Sequence, residues 1–308
     1  ILTSISGIKI KTSDEWETFR RPEILNLMKE YIYGVRPIER PQDLSFKTIA
    51  QSNKYNSDNI LFEKKEICFC GYSFPVYSYY PISYTSALPS IIYIMHEFQE
   101  NNCDLENSIE CVNLPIKKIV NNGYALFIMP TRKLAPDFDH QANFSQGIYP
   151  LFETKRSENS WASISAWSWG ASRVIDYIET DSRLNSSKVV LVGHSRGGKT
   201  ALWCAATDSR IKCAISNNSG CTGAAMHRTK KGEHIKDINR TDWFCENYKK
   251  YNDFEYMLPT DQHMLIAAIA PRPCYVASSS EDTWADPQAE RESCRLASCV
   301  YELYNKKG

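Results

Sequence analysis

Five residues, Gly193-His-Ser-Arg-Gly197, have the types and spacing of a serine nucleophile on a sharp turn. The apolar run at 189–192 before them is typical of a short strand, and residues 198–206 have the pattern of a helix. Glycines on both sides of the serine permit the tight strand-to-helix turn that lifts a hydroxyl above a sheet. The N-terminus of the helix, with its free N–H groups and positive dipole, then points at the serine. The pattern therefore predicts nucleophilic catalysis by Ser195.

Two basic residues beside the serine add to this chemistry. Arg196 follows it directly, so its backbone N–H is the natural donor to the oxyanion of an acyl-transfer reaction, and its guanidinium adds a positive charge. Lys199 lies one helical turn after Ser195 and can face the same cleft. The other interpretation of Lys199 is a solvated surface lysine, because most lysines are exposed.

The elements that must position this motif differ along the chain. Residues 11–33 have the apolar spacing of an amphipathic helix, with a cap at residues 12–14 and an end at Gly34. Alternating, aromatic-rich runs between about 42 and 85 predict antiparallel strands.

From residue 86 onward, short apolar runs alternate with helical patterns, which predicts a parallel sheet with right-handed crossovers. Strands are expected at 90–95, 124–129, 189–192, 212–215 and 274–277, and helices at 158–179, 198–206 and 260–269. No linker-like tract divides the chain. We therefore expect one α/β domain over residues 1–308, with the N-terminal helix and antiparallel strands in 1–85 and the parallel core in 86–308.

Composition excludes several classes of protein. The 308 residues carry 36 basic and 36 acidic side chains, so the formal net charge is zero, unlike that of a typical binder of nucleic acid or anionic membranes. Hydrophobic residues at 43% and aromatic residues at 12% exclude a disordered chain. No run of about 18 apolar residues occurs, so no membrane-spanning segment is predicted.

The eleven cysteines are expected to be mainly small buried hydrophobic residues, as at Cys204 and Cys213. Their odd number leaves at least one unpaired in an oxidising compartment. There is no Cys-x-x-Cys motif and no Cys/His cluster at zinc spacing, so we expect no structural metal.

Several segments together resemble the glucuronoyl esterases of carbohydrate esterase family 15, especially their bacterial branch. The resemblance follows the family's order and extends over nearly the whole chain. The matching segments are 193–203, 216–221, 161–169, 243–245, 258–263, 269–272 and 282–287, with 15–16, 21–25 and 33–34 resembling the family's N-terminal helix.

This resemblance implies an α/β-hydrolase fold, a three-layer sandwich around a mostly parallel sheet. It implies that Ser195 is the nucleophile, that Arg196 supports the oxyanion, and that Lys199 and Trp284 contact glucuronate. Such enzymes cleave esters between lignin alcohols and the (4-O-methyl-)glucuronic acid branches of xylan, so the expected partner is glucuronoxylan or a lignin–carbohydrate ester. No cofactor, metal, nucleic acid or membrane is implied, and the substrate places the protein outside the cell or in the periplasm.

The catalytic acid departs from the commonest pattern of the family. Many members carry a Glu where this chain has Asn218, which cannot ionise. An Asn there resembles the bacterial variant, in which the acid follows the next strand. That strand ends at Ala277, and Glu281 and Asp282 come shortly after it. This is also the usual acid position of α/β-hydrolases. We favour Asp282 over Glu281, with two ordinary loop charges as the alternative.

The catalytic base is missing from the expected place. The triad needs a histidine after the acid, and the last histidine in the sequence is His263. His194 is expected to point away from the serine hydroxyl, His263 to be a structural hydrogen-bonding residue, and His96 to approach the cleft at the end of a strand. Either the C-terminal part of the fold is incomplete in this sequence, or the chain is a non-catalytic relative.

Three functions are consequently left open. The first is a serine esterase acting on glucuronate esters. The second is an acetyl or feruloyl esterase acting on xylan. This function is less favoured, because Lys199 and Trp284 indicate a uronate as the acyl group. The third is a carbohydrate-binding pseudoenzyme that retains the pocket without turnover.

Overall fold

The structure is a computed structural model that describes residues 1–53, 55–111, 114–137, 144–153, 155–228, 231–238 and 242–306. Within these residues eight strands form one sheet, in the order β1-β2-β3-β5-β4-β6-β7-β8. The strands are β1 (Ser45–Ser52), β2 (Ile60–Phe69), β3 (Tyr72–Pro81), β4 (Leu88–Met95), β5 (Ala125–Pro130), β6 (Leu184–His194), β7 (Ile211–Asn217) and β8 (Cys274–Ala277).

The sheet combines an antiparallel and a parallel part, as the change of pattern near residue 86 predicts. β1, β2, β3 and β5 pair antiparallel, whereas β5, β4, β6, β7 and β8 run parallel. In the register of the parallel part, Ile92 lies between Phe127 and Leu191. The carboxyl ends of these parallel strands therefore meet at one edge of the sheet, where ligands bind in open α/β folds.

The helices lie on both faces of the sheet. A continuous helical run at residues 13–33, numbered α1, consists of Ser13–Glu15, Trp16–Arg20, Arg21–Met28 and Lys29–Tyr33, and two of these stretches have the wider π-helical turns. The other α-helices are α2 (Glu97–Glu100), α3 (Ile116–Asn121), α4 (Tyr149–Phe152), α5 (Ser163–Ile178), α6 (Arg196–Thr207), α7 (Ile235–Ile238), α8 (Glu246–Lys249), α9 (Gln262–Ala267) and α10 (Pro287–Glu302). None of the helices in the described residues is both long and apolar enough to cross a bilayer.

The predicted N-terminal helix is confirmed together with its limits. The Thr12 side chain accepts from the backbone of Glu15, whose carboxylate accepts in turn from the backbone of Thr12, forming a capping box. The helix ends at Gly34, which has a φ of 82°. A Cβ at this position would lie 2.4 Å from the Cα of Trp161, so only glycine fits between the helix end and that chain segment.

The core is divided by the sheet. On one face α5 and α6 pack against residues such as Ile94 and Leu191, and 15 of the 16 residues of α5 are buried. On the other face α3 covers β2, β3 and β5 through Ile116 and Val120.

The described residues cover this second face less completely over β6, β7 and β8. Val192 and Ile215 are only partly buried there, and the side chain of Tyr275 is 62% exposed. A cavity of about 720 Å³ opens between Ile91, Val192 and Ile215. β8 is also the edge strand, so its outer backbone groups have no neighbouring strand among the described residues.

Two expectations require correction, and one long helix was missed. The helix predicted at 158–179 begins only at Ser163, because the backbone of Val35 donates to the carbonyl of Asn159 and holds that segment in a bridge to the end of α1. Helix α10 was not predicted. The expectation that the cysteines are simply buried thiols is wrong for Cys103 and Cys111, which form a disulfide. The other nine form no disulfide; Cys204 is buried as expected, whereas Cys213 is only partly buried.

Candidate active site

Ser195 lies on a strained turn between β6 and α6. Its φ of 55° and ψ of −124° are outside the regions that a non-glycine residue ordinarily adopts. A Cβ at Gly193 would lie 2.1 Å from the carbonyl oxygen of Gly197, so the turn closes only with glycine there. The backbone N–H of Ser195 donates to the carbonyl of Asn217 at 2.9 Å, which fixes the turn to the end of β7. Helix α6 begins at Arg196, two residues earlier than predicted, so its unpaired N–H groups start immediately beside the serine.

The guanidinium of Arg196 is held in place by two residues that sequence reasoning did not single out for a role. It forms an ion pair with Asp137 and lies over the indole ring of Trp243, with its Cζ 4.4 Å from the ring centroid. Asp137 also accepts a 2.8 Å hydrogen bond from Trp243 Nε1. The charge of Arg196 is therefore fixed at the N-terminal end of α6 by contacts made from two distant loops.

Asp282 lies on the loop after β8 and is anchored at both carboxylate oxygens. One oxygen accepts from the side-chain amide of Asn218 at 2.6 Å and the other from the backbone of Ala285 at 3.1 Å. Asn218, which follows β7, has a φ of 45°, and its backbone N–H donates to the carbonyl of Ala277. Asn218 and Asp282, the two positions considered for the acid in the sequence analysis, are thus in direct contact. Glu281 is exposed and its side chain makes no hydrogen bond within the described residues.

A buried carboxylate on α10, that of Glu290, connects the loops after β7 and β8. Its Oε1 accepts from the backbone N–H groups of Ser219 and Gly220 at 2.8 and 2.9 Å. Its Oε2 accepts from the hydroxyl of Ser278. Burial raises the pKa of Glu290, although these hydrogen bonds oppose the rise. Sequence reasoning missed this residue because a glutamate in an amphipathic helix is normally solvated.

Lys199, Glu233 and Trp284 form a cluster on the side of α6. Lys199 is 2% exposed, and its ammonium donates to the carbonyls of Ser219 and Cys221 and to Glu233 Oε2, the last at 2.9 Å. All three of its N–H donors are therefore in use. The other oxygen of Glu233 accepts from Trp284 Nε1 at 3.1 Å, and Trp284 remains 57% exposed. Lys199 is thus neither a solvated lysine nor free toward the cleft, and its partner Glu233 was not predicted to be part of the site.

Three histidines are candidate bases on the sequence alone. His194 Nδ1 lies 2.7 Å from the side-chain oxygen of Asn217. His96 is 4% exposed, neither of its ring nitrogens has a partner among the described residues, and its ring lies 6.5 Å from that of His194. Burial, with the nearby Arg196 and His194, lowers the pKa of His96 to about 3.

Burial also lowers the pKa of His263, to about 4, and its charged neighbours include the N-terminal amine and Arg20 rather than groups around Ser195. Within the described residues no side chain is hydrogen-bonded to the Ser195 hydroxyl. His140 lies outside the described residues.

The described residues contain no group of three or more His, Cys, Asp and Glu side chains that could hold a metal ion. What the site does contain is a strained serine at a helix N-terminus, a fixed guanidinium, an anchored carboxylate and a buried lysine–glutamate pair with an exposed indole. This arrangement provides groups for acyl transfer and for contact with a polyhydroxylated ligand.

The strand order and the serine on the turn after β6 define an α/β-hydrolase. The sequence profile described as glucuronyl esterase, fungi, matches residues 90–305. The structure of a glucuronoyl esterase from Solibacter usitatus superimposes with a TM-score of 0.91 at 33% identity, covering all of this chain and 86% of that one.

Curated proteins give the same result. Carbohydrate esterase MZ0003, from an unknown prokaryotic organism, is 32% identical over all of this chain and 78% of its own length. A 4-O-methyl-glucuronoyl methylesterase of Hypocrea jecorina is 28% identical over 94% of this chain, which spans only 58% of that protein. The chain belongs to the glucuronoyl esterase family, carbohydrate esterase family 15.

Proposed function

We propose that this protein hydrolyses esters of glucuronic or 4-O-methylglucuronic acid, as found in lignin–xylan cross-links, through a glucuronoyl-serine intermediate on Ser195. The observation that carries the proposal is the strained turn that places Ser195 at the start of α6, one helical turn before Lys199 and its partner Glu233. The names of the bacterial and fungal relatives support the same substrate class.

In this proposal Ser195 Oγ attacks the ester carbonyl carbon and its proton passes to a base. The developing oxyanion accepts from the backbone N–H of Arg196, and the fixed guanidinium stabilises the negative charge. Collapse of the tetrahedral intermediate expels the alcohol, which takes up the proton from the base. Water then attacks the acyl carbon and gives a proton to the base, and collapse of the second intermediate releases glucuronate and returns that proton to Ser195 Oγ. No metal or cofactor is needed for these steps.

The sugar ring is recognised by the cluster of Lys199, Glu233 and Trp284. Because the three N–H donors of Lys199 are already used, we assign it chiefly to holding Glu233 in place. Glu233 retains acceptor capacity for a sugar hydroxyl. The exposed indole of Trp284 offers a flat apolar surface to the ring.

Asp282 is the proposed acid, since it is anchored by Asn218 whereas Glu281 has no such support among the described residues. We propose that it orients the histidine that serves as the general base. The carbohydrate-binding pseudoenzyme remains the second candidate, favoured by the absence of any hydrogen bond from a described histidine to Ser195.

We further propose that the protein acts outside the cell or in the periplasm on glucuronoxylan. The disulfide between Cys103 and Cys111 supports an oxidising compartment, and polymeric plant cell wall does not enter cells.

The proposal is tested by measuring hydrolysis of benzyl glucuronate, an acetylated xylooligosaccharide and methyl ferulate, together with the intact mass of the same sample. Preferred turnover of the glucuronate ester supports the proposal, and a mass above that of 308 residues supports a base from an additional segment. Turnover at the mass of the 308 residues would instead assign the base to an internal histidine. Preference for the acetyl or feruloyl ester contradicts the substrate assignment. Saturable glucuronate binding without any turnover favours the pseudoenzyme.

A further inference from the structure

A buried carboxylate, that of Glu97, lies at the first residue of α2, two residues after the end of β4. Ile94 of β4 pairs with Gly193 of β6 in the parallel register, so α2 begins at the same edge of the sheet as the turn that carries Ser195. Burying a carboxylate is unfavourable unless it is paired and hydrogen-bonded. The partners of Glu97 therefore show which part of the structure it holds.

The carboxylate of Glu97 binds the loop that follows β5. Its Oε2 accepts a 3.0 Å hydrogen bond from the backbone N–H of Asp137. Its Oε1 forms an ion pair with Arg132, which lies earlier in the same loop. Burial raises the pKa of Glu97, whereas these two partners oppose the rise. Glu97 thus connects both ends of residues 132–137 to α2.

The other contacts of this loop lie before Asp137. The backbone N–H of Thr131 donates to the carbonyl of Met95 at 3.0 Å, and the carbonyl of Ala135 accepts from Trp167 Nε1 at 2.9 Å. Asp137 lies two residues beyond Ala135, and Glu97 binds its backbone N–H. The position of the Asp137 carboxylate therefore depends on Glu97.

Two side chains beside Ser195 depend in turn on that carboxylate. Asp137 pairs with the guanidinium of Arg196 and accepts from the indole of Trp243, over which the guanidinium lies. The Nε of Arg196 is buried and has no partner among the described residues, which leaves its N–H available to an oxygen atom of a bound substrate. A displaced Asp137 would release the guanidinium from this orientation.

We propose that Glu97 is a positioning residue for Arg196, because through the backbone of Asp137 it fixes the guanidinium in the orientation that stabilises the oxyanion. The catalytic part of this inference rests on the proposed function, whereas the immobilisation of Arg196 does not. The oxyanion is absent from the bound ester and develops only as the serine attacks. Loss of Glu97 is therefore expected to lower kcat rather than to raise KM.

The kinetic test removes the acceptor and then restores it. Glu97→Met has a similar volume but no acceptor oxygen, and it should lower kcat on benzyl glucuronate about 10- to 100-fold while changing KM less than about threefold. Glu97→Gln retains an acceptor oxygen for the N–H of Asp137 and should keep kcat within about threefold of the wild type. Glu100→Met is the matched control, because Glu100 is a partly buried glutamate of the same helix that makes no hydrogen bond to residue 137 within the described residues. Equal losses in Glu97→Met and Glu97→Gln, or in Glu97→Met and Glu100→Met, would overturn the proposal.

An Arg196→Met background separates positioning from a general loss of structure. Without the guanidinium there is nothing for Glu97 to position, so adding Glu97→Met should change kcat less than about twofold. The same fold-loss in both backgrounds would make Glu97 a structural residue only and would also overturn the proposal.

The immobilisation of Arg196 is measured without turnover, by NMR of the arginine Nε–H groups. The Arg196 signal is assigned by its loss in Arg196→Met. We expect its proton to exchange with solvent at least about tenfold faster in Glu97→Met than in the wild type and Glu97→Gln, and an unchanged exchange rate would contradict the proposal. Faster exchange in a protein that does not hydrolyse benzyl glucuronate would keep Glu97 as the residue that fixes Arg196 while rejecting the esterase function.

Discussion

Ser195 adopts a backbone conformation that costs free energy, of order 1–3 kcal/mol for a residue in so sparsely populated a region. The surroundings maintain it through Gly193, which leaves room for Gly197, and through the bond from Ser195 N–H to Asn217. Arg196 and Asp282 are likewise held by specific partners. Single residues at this site are therefore positioned by contacts that reach well beyond their own strand or helix.

At the residue scale, we expect Asp282 and Glu281 to behave very differently. Asp282→Asn removes the charge that would stabilise a protonated base and should lower kcat about 10³- to 10⁴-fold, the usual cost of losing a triad acid. Glu281→Gln serves as the matched control and should change kcat less than about threefold, because Glu281 is exposed. Steady-state kinetics with benzyl glucuronate measure both. The assignment is wrong if Glu281→Gln has the larger effect.

The buried His96 predicts a pH dependence of stability. Its pKa is about 3 in the folded protein, against about 6.5 in an unfolded chain. As the pH falls below 6.5 the unfolded state binds the proton first, so the free energy of unfolding declines until the pH approaches 3. His96→Gln should reduce this slope between pH 6 and 4 by about 1.4 kcal/mol per pH unit.

Urea unfolding of both proteins at several pH values measures this slope. A residual slope is expected from His263, whose pKa is about 4 in the folded protein. Identical slopes for wild type and His96→Gln would show that His96 takes up its proton without unfolding.

At the scale of elements, the site depends on the contact of α10 with the ends of β7 and β8. Glu290→Gln places an amide N–H₂ group among N–H and O–H donors, so at least one of those hydrogen bonds is lost. Loss of such charge-assisted bonds costs about 1.5–3 kcal/mol and should lower the melting temperature by roughly 5 °C.

The same substitution should reduce kcat about tenfold or more, because the loop carrying Asp282 shifts. It should also raise KM for benzyl glucuronate, because Ser219, whose N–H donates to Glu290, accepts from Lys199 of the sugar cluster. Glu292→Gln is the control, because Glu292 lies on the same helix but pairs with the exposed Arg295 at the surface; it should affect none of these quantities. A lower melting temperature with unchanged kcat would restrict Glu290 to a structural role.

The hydrophobic patterns of the sequence predicted most of the strands and long helices, but only part of the candidate active site. The observed strand Cys274–Ala277 has the same first and last residues as the predicted strand, because its apolar run is bounded on both sides. Helix α5 begins five residues after its predicted start, because a hydrogen bond from Val35 holds the preceding segment outside the helix. Glu233 and Asp137 could not be found from spacing, because both lie in loops whose course is decided by tertiary contacts.

At the scale of the whole molecule, the sheet brings together groups that are far apart in the sequence. Asp137, Ser195, Glu233 and Asp282 come from four separate segments and meet near the carboxyl ends of the parallel strands. The zero net charge gives no long-range attraction for a polyanion. Selection of substrate must therefore come from local contacts, such as those of the buried pair of Lys199 and Glu233.

The central claim is that Ser195 is the nucleophile of a glucuronate esterase, and the most direct test compares wild type with Ser195→Ala on benzyl glucuronate. We expect the wild type to release benzyl alcohol with saturation kinetics, and the variant to retain binding of glucuronate while losing turnover by at least about 10³-fold. Turnover by Ser195→Ala at a rate near that of the wild type would contradict the claim, because the hydrolysis would then not use the strained turn at all.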